Sequence, residues 1–194
     1  MSSVNLSKGQ QISLSKSDGG ALSVVRMGLG WQAAPRKGFL AKLTGNREID
    51  LDASAVLVAG KEVADVVFFQ QLTSKDGSVQ HSGDNLVGGT GQGDDESIVV
   101  DLQRVPVHID QIVFTVNSFT GQTFEEVQNA YCRLMDEQTG QELARYTLTG
   151  GSKNTAQIMA KVHRSGSGWQ MAAIGEPASG RTFQDLLPAI IPHL

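Results

Sequence analysis

Between Gly83 and Glu96 the sequence reads GDNLVGGTGQGDDE, fourteen residues holding Asp84, Asn85, Asp94, Asp95 and Glu96 among five glycines. Oxygen donors at such density repel one another unless a cation lies between them. Hard divalent cations suit them: calcium takes about six to eight oxygens from carboxylates, amide and main-chain carbonyls, and glycines let the carbonyls turn inward. No histidine or cysteine cluster accompanies the acids, which argues against zinc, copper or iron. A phosphate cradle is excluded on charge and pattern, because Asp94 stands where a phosphate loop wants lysine and no G-x-G-x-x-G is present. The D-x-[DN]-x-[DN]-G spacing of a helix-loop-helix calcium site is also absent, so any site must be assembled from several loops.

A second donor group is available in IDLDAS, where Asp50 and Asp52 are two apart and share one face of an extended backbone. Asp50, Asp52, Asp84, Asp94, Asp95 and Glu96 carry six formal negative charges. Like charges a few ångströms apart repel by about 1–4 kcal/mol per pair in water-like to protein-like surroundings. Two calcium ions would cancel most of that charge.

The elements that must position these acids read mostly as strands. QQISLSK and ALSVVRMGLGW flank SDGG, a hairpin signal. SAVLVAGKEVADVVFFQQL holds two apolar runs parted at Gly60-Lys61, and ESIVVDL and QIVFTVNSF follow, the second apolar enough for a central strand. NAYCRLMDEQTGQELARYTL predicts a hairpin turning at Thr139-Gly140, and AQIMAKVHRSGSGWQMAAIGE another turning at Ser165 to Gly168. Repeated hairpins with little helical periodicity predict an all-β fold, a β-sandwich carrying one or two short helices. The helical stretches are TFEEVQNA and TFQDLLPAI, the second interrupted by Pro188. WQAAPRKGFLAKLTGNREI fits no element: Arg36, Lys37 and Lys42 surround Phe39 and Leu40 in a pattern suited to a partner or an anionic membrane face.

The bounds are ordinary. The chain has 194 residues, 40% hydrophobic and 19% charged, with net charge −4, which gives no reason to bind nucleic acid. Its single cysteine, Cys132, rules out an internal disulfide and fits a reducing compartment, where an alternating strand would bury it. The N-terminus lacks the apolar core of a secretory signal, and no apolar run approaches the ~20 residues needed to span a bilayer. The expected address is cytoplasmic, with peripheral association at the inner membrane face open. His81, His108, His163 and His193 lack ligand spacing, and Trp31 and Trp169 read as packing anchors.

NLSKGQQISLSK, GLGW, DLDASAVL, HSGDN…GDDESIVVDL, FTVNSFTGQTFEEVQNAYCRL, ELARYTL and GWQMAAIGEPASGRTFQDLLP occur in this order through most of the chain. Together they resemble the TerD family of bacterial tellurite-resistance and stress proteins, particularly its TerZ-like members. The resemblance implies one β-sandwich domain over residues 1–194 and calcium held by acidic loops. Matched residue by residue, DLDAS supplies Asp50 and Asp52, GDN supplies Asp84 and Asn85, and GDDE supplies Asp94, Asp95 and Glu96. Between the last two motifs, Leu86 to Gln92 is longer than the family pattern and lacks a further acid. The resemblance also implies stress-response assemblies of several proteins, with no catalytic reaction attached. Two other classes are weighed beside this non-enzymatic calcium module. A metal-dependent hydrolase or phosphotransferase would need a base and a cationic clamp beside the acids. A small-ligand or nucleotide-binding module is suggested only by analogy with remote relatives.

Overall fold

The computed structural model describes residues 3–16, 19–33, 49–83, 93–147 and 153–194. The candidate ligands Asp84 and Asn85, the stretch Leu86 to Gln92, and the basic and apolar residues Arg36, Lys37, Phe39, Leu40 and Lys42 lie outside them.

Twelve strands are described: β1 (Val4–Asn5), β2 (Gln11–Ser13), β3 (Val24–Ala33), β4 (Leu51–Ala59), β5 (Glu62–Val67), β6 (Val79–His81), β7 (Glu96–Asp101), β8 (Gln111–Ser118), β9 (Val127–Asp136), β10 (Gln141–Thr147), β11 (Ala156–Ser165) and β12 (Gly168–Ala178). They form two six-stranded sheets, a sandwich. The first sheet runs β1-β10-β9-β3-β7-β6 and the second β2-β12-β11-β8-β4-β5. One helix, α1 (Phe183–Ile190), packs on the outer face of the second sheet.

Side-chain alternation divides the second sheet between two apolar clusters. Leu51, Ala53, Ala55 and Leu57 of β4 face the first sheet, with Ile112, Phe114 and Val116 of β8. Val56, Val58, Val113 and Ile158 face outward and receive Leu186 and Ile190 of α1. With cores on both faces, β8 is buried along its whole length, which is why its middle, Ile112 to Val116, is apolar on both faces apart from Thr115. Burying each of these large side chains contributes about 1.5–3 kcal/mol.

The β4–β5, β9–β10 and β11–β12 hairpins turn where the sequence signals them, the first at Gly60 with φ 65°. Three local expectations change. SDGG does turn the chain back, with an antiparallel bridge between Ser15 and Ala21 flanked by hydrogen bonds from Lys16 N–H to the Gly20 carbonyl and from Leu22 N–H to the Leu14 carbonyl, but the longer strands on either side pair elsewhere, β2 with β12 in one sheet and β3 with β7 and β9 in the other. In TFEEVQNA only Phe124–Glu126 is helical, a single 3₁₀ turn, before the chain enters β9. Pairing with β3 outweighs the weak helical signal, and Asn129 takes φ 53° where the register shifts opposite Gly30 to Gln32. Pro188 lies inside α1 rather than ending it. As the sixth of the eight residues, it forfeits one backbone bond, the one its N–H would have made to the Gln184 carbonyl.

Candidate functional site at the meeting of the two sheets

β4 and β7 belong to different sheets, yet the start of β7 meets β4 near its own start. Alternation along β7 turns Glu96, Ile98 and Val100 inward, with Glu96 opposite Leu29 of β3. From there Glu96 reaches across the sandwich, and its Oε2 accepts a hydrogen bond from the main-chain N–H of Ala53 at 2.8 Å. His81 of β6 completes the joint, its Nε2 3.5 Å from the same oxygen and 3.2 Å from the Ala53 carbonyl. The Gly83 N–H points at His81 Nδ1 at 3.0 Å. A main-chain N–H can only donate, so Nδ1 is the acceptor and Nε2 carries the proton. The Glu96 and His81 side chains are wholly buried. A carboxylate so placed is tolerable only because N–H donors surround it.

Trp31 organises the neighbouring acids. Its main-chain N–H donates to Asp95 Oδ2 at 2.9 Å, while its indole Nε1 donates to the carbonyl of Ile49 at 2.8 Å. One buried residue therefore fixes both Asp95 and the residue preceding half-buried Asp50. The Asp95 N–H adds a bond to the Leu29 carbonyl at 2.8 Å.

Asp94 goes elsewhere. It lies on the outer face of the first sheet, above Gly28, where an added Cβ would come within 2.1 Å of its Oδ2. Arg133 of β9 holds its Oδ1 at 2.7 Å, and the Tyr131 hydroxyl donates to the Gly93 carbonyl at 2.9 Å. Arg133 also meets Glu142 at 3.3 Å, and Arg145 meets Glu142 at 2.7 Å while covering the Tyr131 ring at 4.1 Å. Hydrogen bonding from Arg145, with help from Ser3 and Arg133, holds the Glu142 carboxyl down at about 2. Burial first, then the charge of Asp94, raises the Tyr131 hydroxyl above its ordinary range. Gly30 makes room for the Tyr131 ring as Gly28 does for Asp94. Asp94 Oδ2 is buried without a hydrogen-bond partner among the described residues.

The two acidic segments thus meet at one end of the sandwich, with their carboxylates turned in different directions. Asp95 and Glu96 sit at the joint, and Ile49, next to Asp50 in sequence, is tied to the same Trp31 that holds Asp95. Asp94 faces outward from the first sheet. Asp52 faces outward from the second, 3% exposed, with Asn117 Nδ2 3.4 Å from its Oδ2. Among the described residues no group of three or more His, Cys, Asp or Glu side chains is gathered as a metal site. Asp101 is at the far end of β7, where its Oδ1 accepts from the N–H groups of Gln103 and Arg104.

Trp31, His81, Tyr131 and Arg133 were not legible as site residues from spacing. GLGW did carry a trace of them, because two glycines alternating inside a strand signal a bulky neighbour on that face. Chemically, the joint offers oxygen donors held in place by main-chain N–H groups. Both ring nitrogens of His81 are engaged and its side chain is buried, so its imidazole is not a poised base.

Among the described residues no helix is long and apolar enough to cross a membrane. Comparison with known proteins places this geometry in context. Residues 1–188 match the TerD domain model. The chain is 46% identical over 191 residues to the tellurium resistance protein TerZ of Serratia marcescens, covering 97% of each. It is 39% identical to the stress response protein SCP2 of Bacillus subtilis, covering 95% of this chain and 97% of that one. The fold superposes on the crystal structure of a TerD homologue from Streptomyces coelicolor with TM-score 0.69, at 21% identity and covering 86% of this chain and 96% of the other. By the extent of these matches, the chain belongs to the TerD family of tellurium-resistance and stress proteins.

Proposed function

We propose that this chain is a calcium-binding, non-catalytic module of a cellular stress response, of the kind that the tellurium-resistance and stress names of its relatives describe. The observation that carries this reading is the hydrogen bond from Ala53 N–H to Glu96 Oε2, 2.8 Å long, because it draws DLDAS and GDDE to one place. Asp50, Asp95 and Glu96 would supply hard oxygen ligands there. Asp84 and Asn85, the next residues in sequence after Gly83, would complete the set. Each carboxylate has two oxygens and about four acceptor positions, so one main-chain bond leaves coordinating capacity. The donor chemistry fits calcium. Asp52 and Asp94 face away from the joint, Asp94 held by Arg133 through Oδ1, and both are left out of the set.

Bound calcium would supply positive charge that relieves repulsion among these acids and ties the loops at this end of the sandwich. The stiffened end would then serve as a docking surface for protein partners of a cytoplasmic stress assembly or for a membrane surface. The buried, doubly engaged His81 supports binding rather than hydrolysis or phosphoryl transfer. Titration of metal-stripped protein with calcium tests the proposal. Saturable heat and a rise in melting temperature are expected, and no response at millimolar calcium would overturn it.

A further inference from the structure

Four of the seven phenylalanines, Phe68, Phe69, Phe119 and Phe183, stand partly exposed around one cavity on the outer face of the second sheet. They come from three places: the turn after β5, the residue after β8, and the start of α1. The other described phenylalanines, Phe114 and Phe124, are buried in the core. At the cavity the rings meet at angles rather than stacking. Phe68 and Phe69 meet at 88° with centroids 5.6 Å apart, Phe69 and Phe119 at 71° and 5.8 Å, and Phe68 and Phe183 at 57° and 4.9 Å.

The turns that present these rings are fixed. Phe68 and Gln71 exchange both main-chain hydrogen bonds, at 3.1 and 2.9 Å. Asp65 pins the same turn by accepting from Gln71 Nε2 at 2.9 Å and from Lys75 N–H at 2.8 Å. The turn after β8 is closed by the Gly121 N–H, which donates to the Ser118 carbonyl at 3.2 Å. Gln122 braces it, its N–H donating to Ser118 Oγ at 3.0 Å and its Oε1 accepting from that hydroxyl at 2.9 Å. Phe119 is nevertheless 45% exposed. Apolar rings held in water by a rigid frame are the mark of a surface built to be covered.

Exposed Arg181 is the one cationic residue on the described lining. Its guanidinium lies beside the turn that carries Phe119, with Nε and Nη2 3.6 Å from where a Cβ on Gly121 would stand. Its main chain is committed, the carbonyl to Asn117 Nδ2 at 2.6 Å and the N–H to Asp185 Oδ2 at 2.9 Å. Among the described residues no hydrogen bond or ion pair holds the guanidinium itself. The nearby acids are taken. Asp185 Oδ2 caps α1, accepting also from the Thr182 N–H at 3.1 Å. Asp52, on the buried side of the cavity, is engaged by Asn117 Nδ2 at 3.4 Å and by a further interaction, so it awaits no partner.

Rings and guanidinium together select a chemistry. Phenylalanines set at such angles favour a further ring packed edge to face among them. The cavity measures about 100 Å³ and is partly open to solvent. An enclosed apolar cavity of about 150 Å³ accepts benzene, so the space here takes one ring and leaves its substituent at the rim. The cation at that rim is Arg181, whose planar donors match a carboxylate. A substituent ending in an ammonium group would meet Arg181 as a like charge.

We propose that this pocket binds a small aromatic carboxylate, its ring among the four phenylalanines and its carboxylate at Arg181, independently of the calcium reading. Chemical-shift titration of the full chain tests it with four probes: 3-phenylpropionate, its neutral amide, 3-phenylpropylammonium and propionate. The aromatic acid should saturate signals from Phe68, Phe69, Phe119 and Phe183. The amide should bind about three- to fivefold more weakly, the ammonium more weakly than the amide, and propionate without saturation over the same range. Arg181→Gln should bring the acid down to the affinity of the amide and leave the amide unchanged. Phe119→Ala, at a half-exposed ring, should weaken acid and amide alike by about tenfold and leave the calcium affinity unchanged. Amide or ammonium binding as tightly as the acid, no saturation by the acid, or shifts centred elsewhere would each overturn the proposal. So would an Arg181→Gln protein that still prefers the acid, or a Phe119→Ala protein that binds it normally.

Discussion

Glu96 of one sheet accepts the Ala53 N–H of the other at 2.8 Å, and this bond is where the two acidic segments of the chain meet. Replacing Glu96 by Gln keeps an acceptor of the same shape but removes the charge and adds an N–H₂ facing the Nε2–H of His81. A stability loss of about 1–3 kcal/mol is expected from the unsatisfied donors. Urea unfolding of Glu96→Gln beside the natural protein measures it, and an unchanged midpoint would show the joint to be unimportant.

Acid should weaken the outer face of the first sheet. Glu142 is held at about 2 in the fold, against 4.5 for an ordinary glutamate. Its folded value is depressed, so its contribution is complete above about 4.5 and fades as pH falls toward 2. Because the carboxylate is partly solvated, the contribution is about 1 kcal/mol rather than the full linkage value. Glu142→Gln should therefore be less stable at neutral pH, with the difference closing below pH about 4. A stability difference that stays constant with pH would contradict the ion-pair assignment.

Gly28 is the floor beneath Asp94. A Cβ there would lie 2.1 Å from Asp94 Oδ2 and 2.2 Å from its Cγ, so Gly28→Ala must push the carboxylate away from Arg133. The expected cost is about 1–3 kcal/mol. If the loss runs through the Asp94–Arg133 pair, combining it with Arg133→Ala should cost less than the sum, by at least about 0.5 kcal/mol. Strict additivity in that double-mutant cycle would place the strain elsewhere.

Cys132 is fully buried between the sheets, and burial pushes its thiol up to about 12. The thiolate needed for alkylation is then scarce at neutral pH. Iodoacetamide should leave the folded protein unmodified and label one thiol once urea unfolds it. Rapid labelling of folded protein would show that this strand opens.

Much of the fold was legible because its signals are local. The hairpins at Gly60, Thr139-Gly140 and Ser165 to Gly168 follow from turn residues between alternating strands, and the apolar run of β8 announces a strand covered on both sides. The destination of SDGG was not legible: a turn motif reports a change of direction and says nothing about which sheet receives the next strand. The same limit applies to the acids. Spacing put Asp50 and Asp52 on one face of a strand, and the structure adds that β4 turns Asp52 toward the phenylalanines. Glu96 points across the sandwich and Asp94 out of it because strand alternation separates neighbours in sequence. His81 and Arg133 gave no pattern at all, since their partners come from other strands.

Isothermal titration of calcium into metal-stripped protein bears most directly on the proposed function, run on the natural chain, Asp95→Asn and Phe119→Ala. Calcium binding at the meeting of β4 and β7 predicts saturable heat for the natural chain and Phe119→Ala, weakened by at least about tenfold in Asp95→Asn. It further predicts a stability gain of about 2.7 kcal/mol at free calcium 100 times the dissociation constant. Absence of heat at millimolar calcium, or equal affinity in Asp95→Asn, would contradict it.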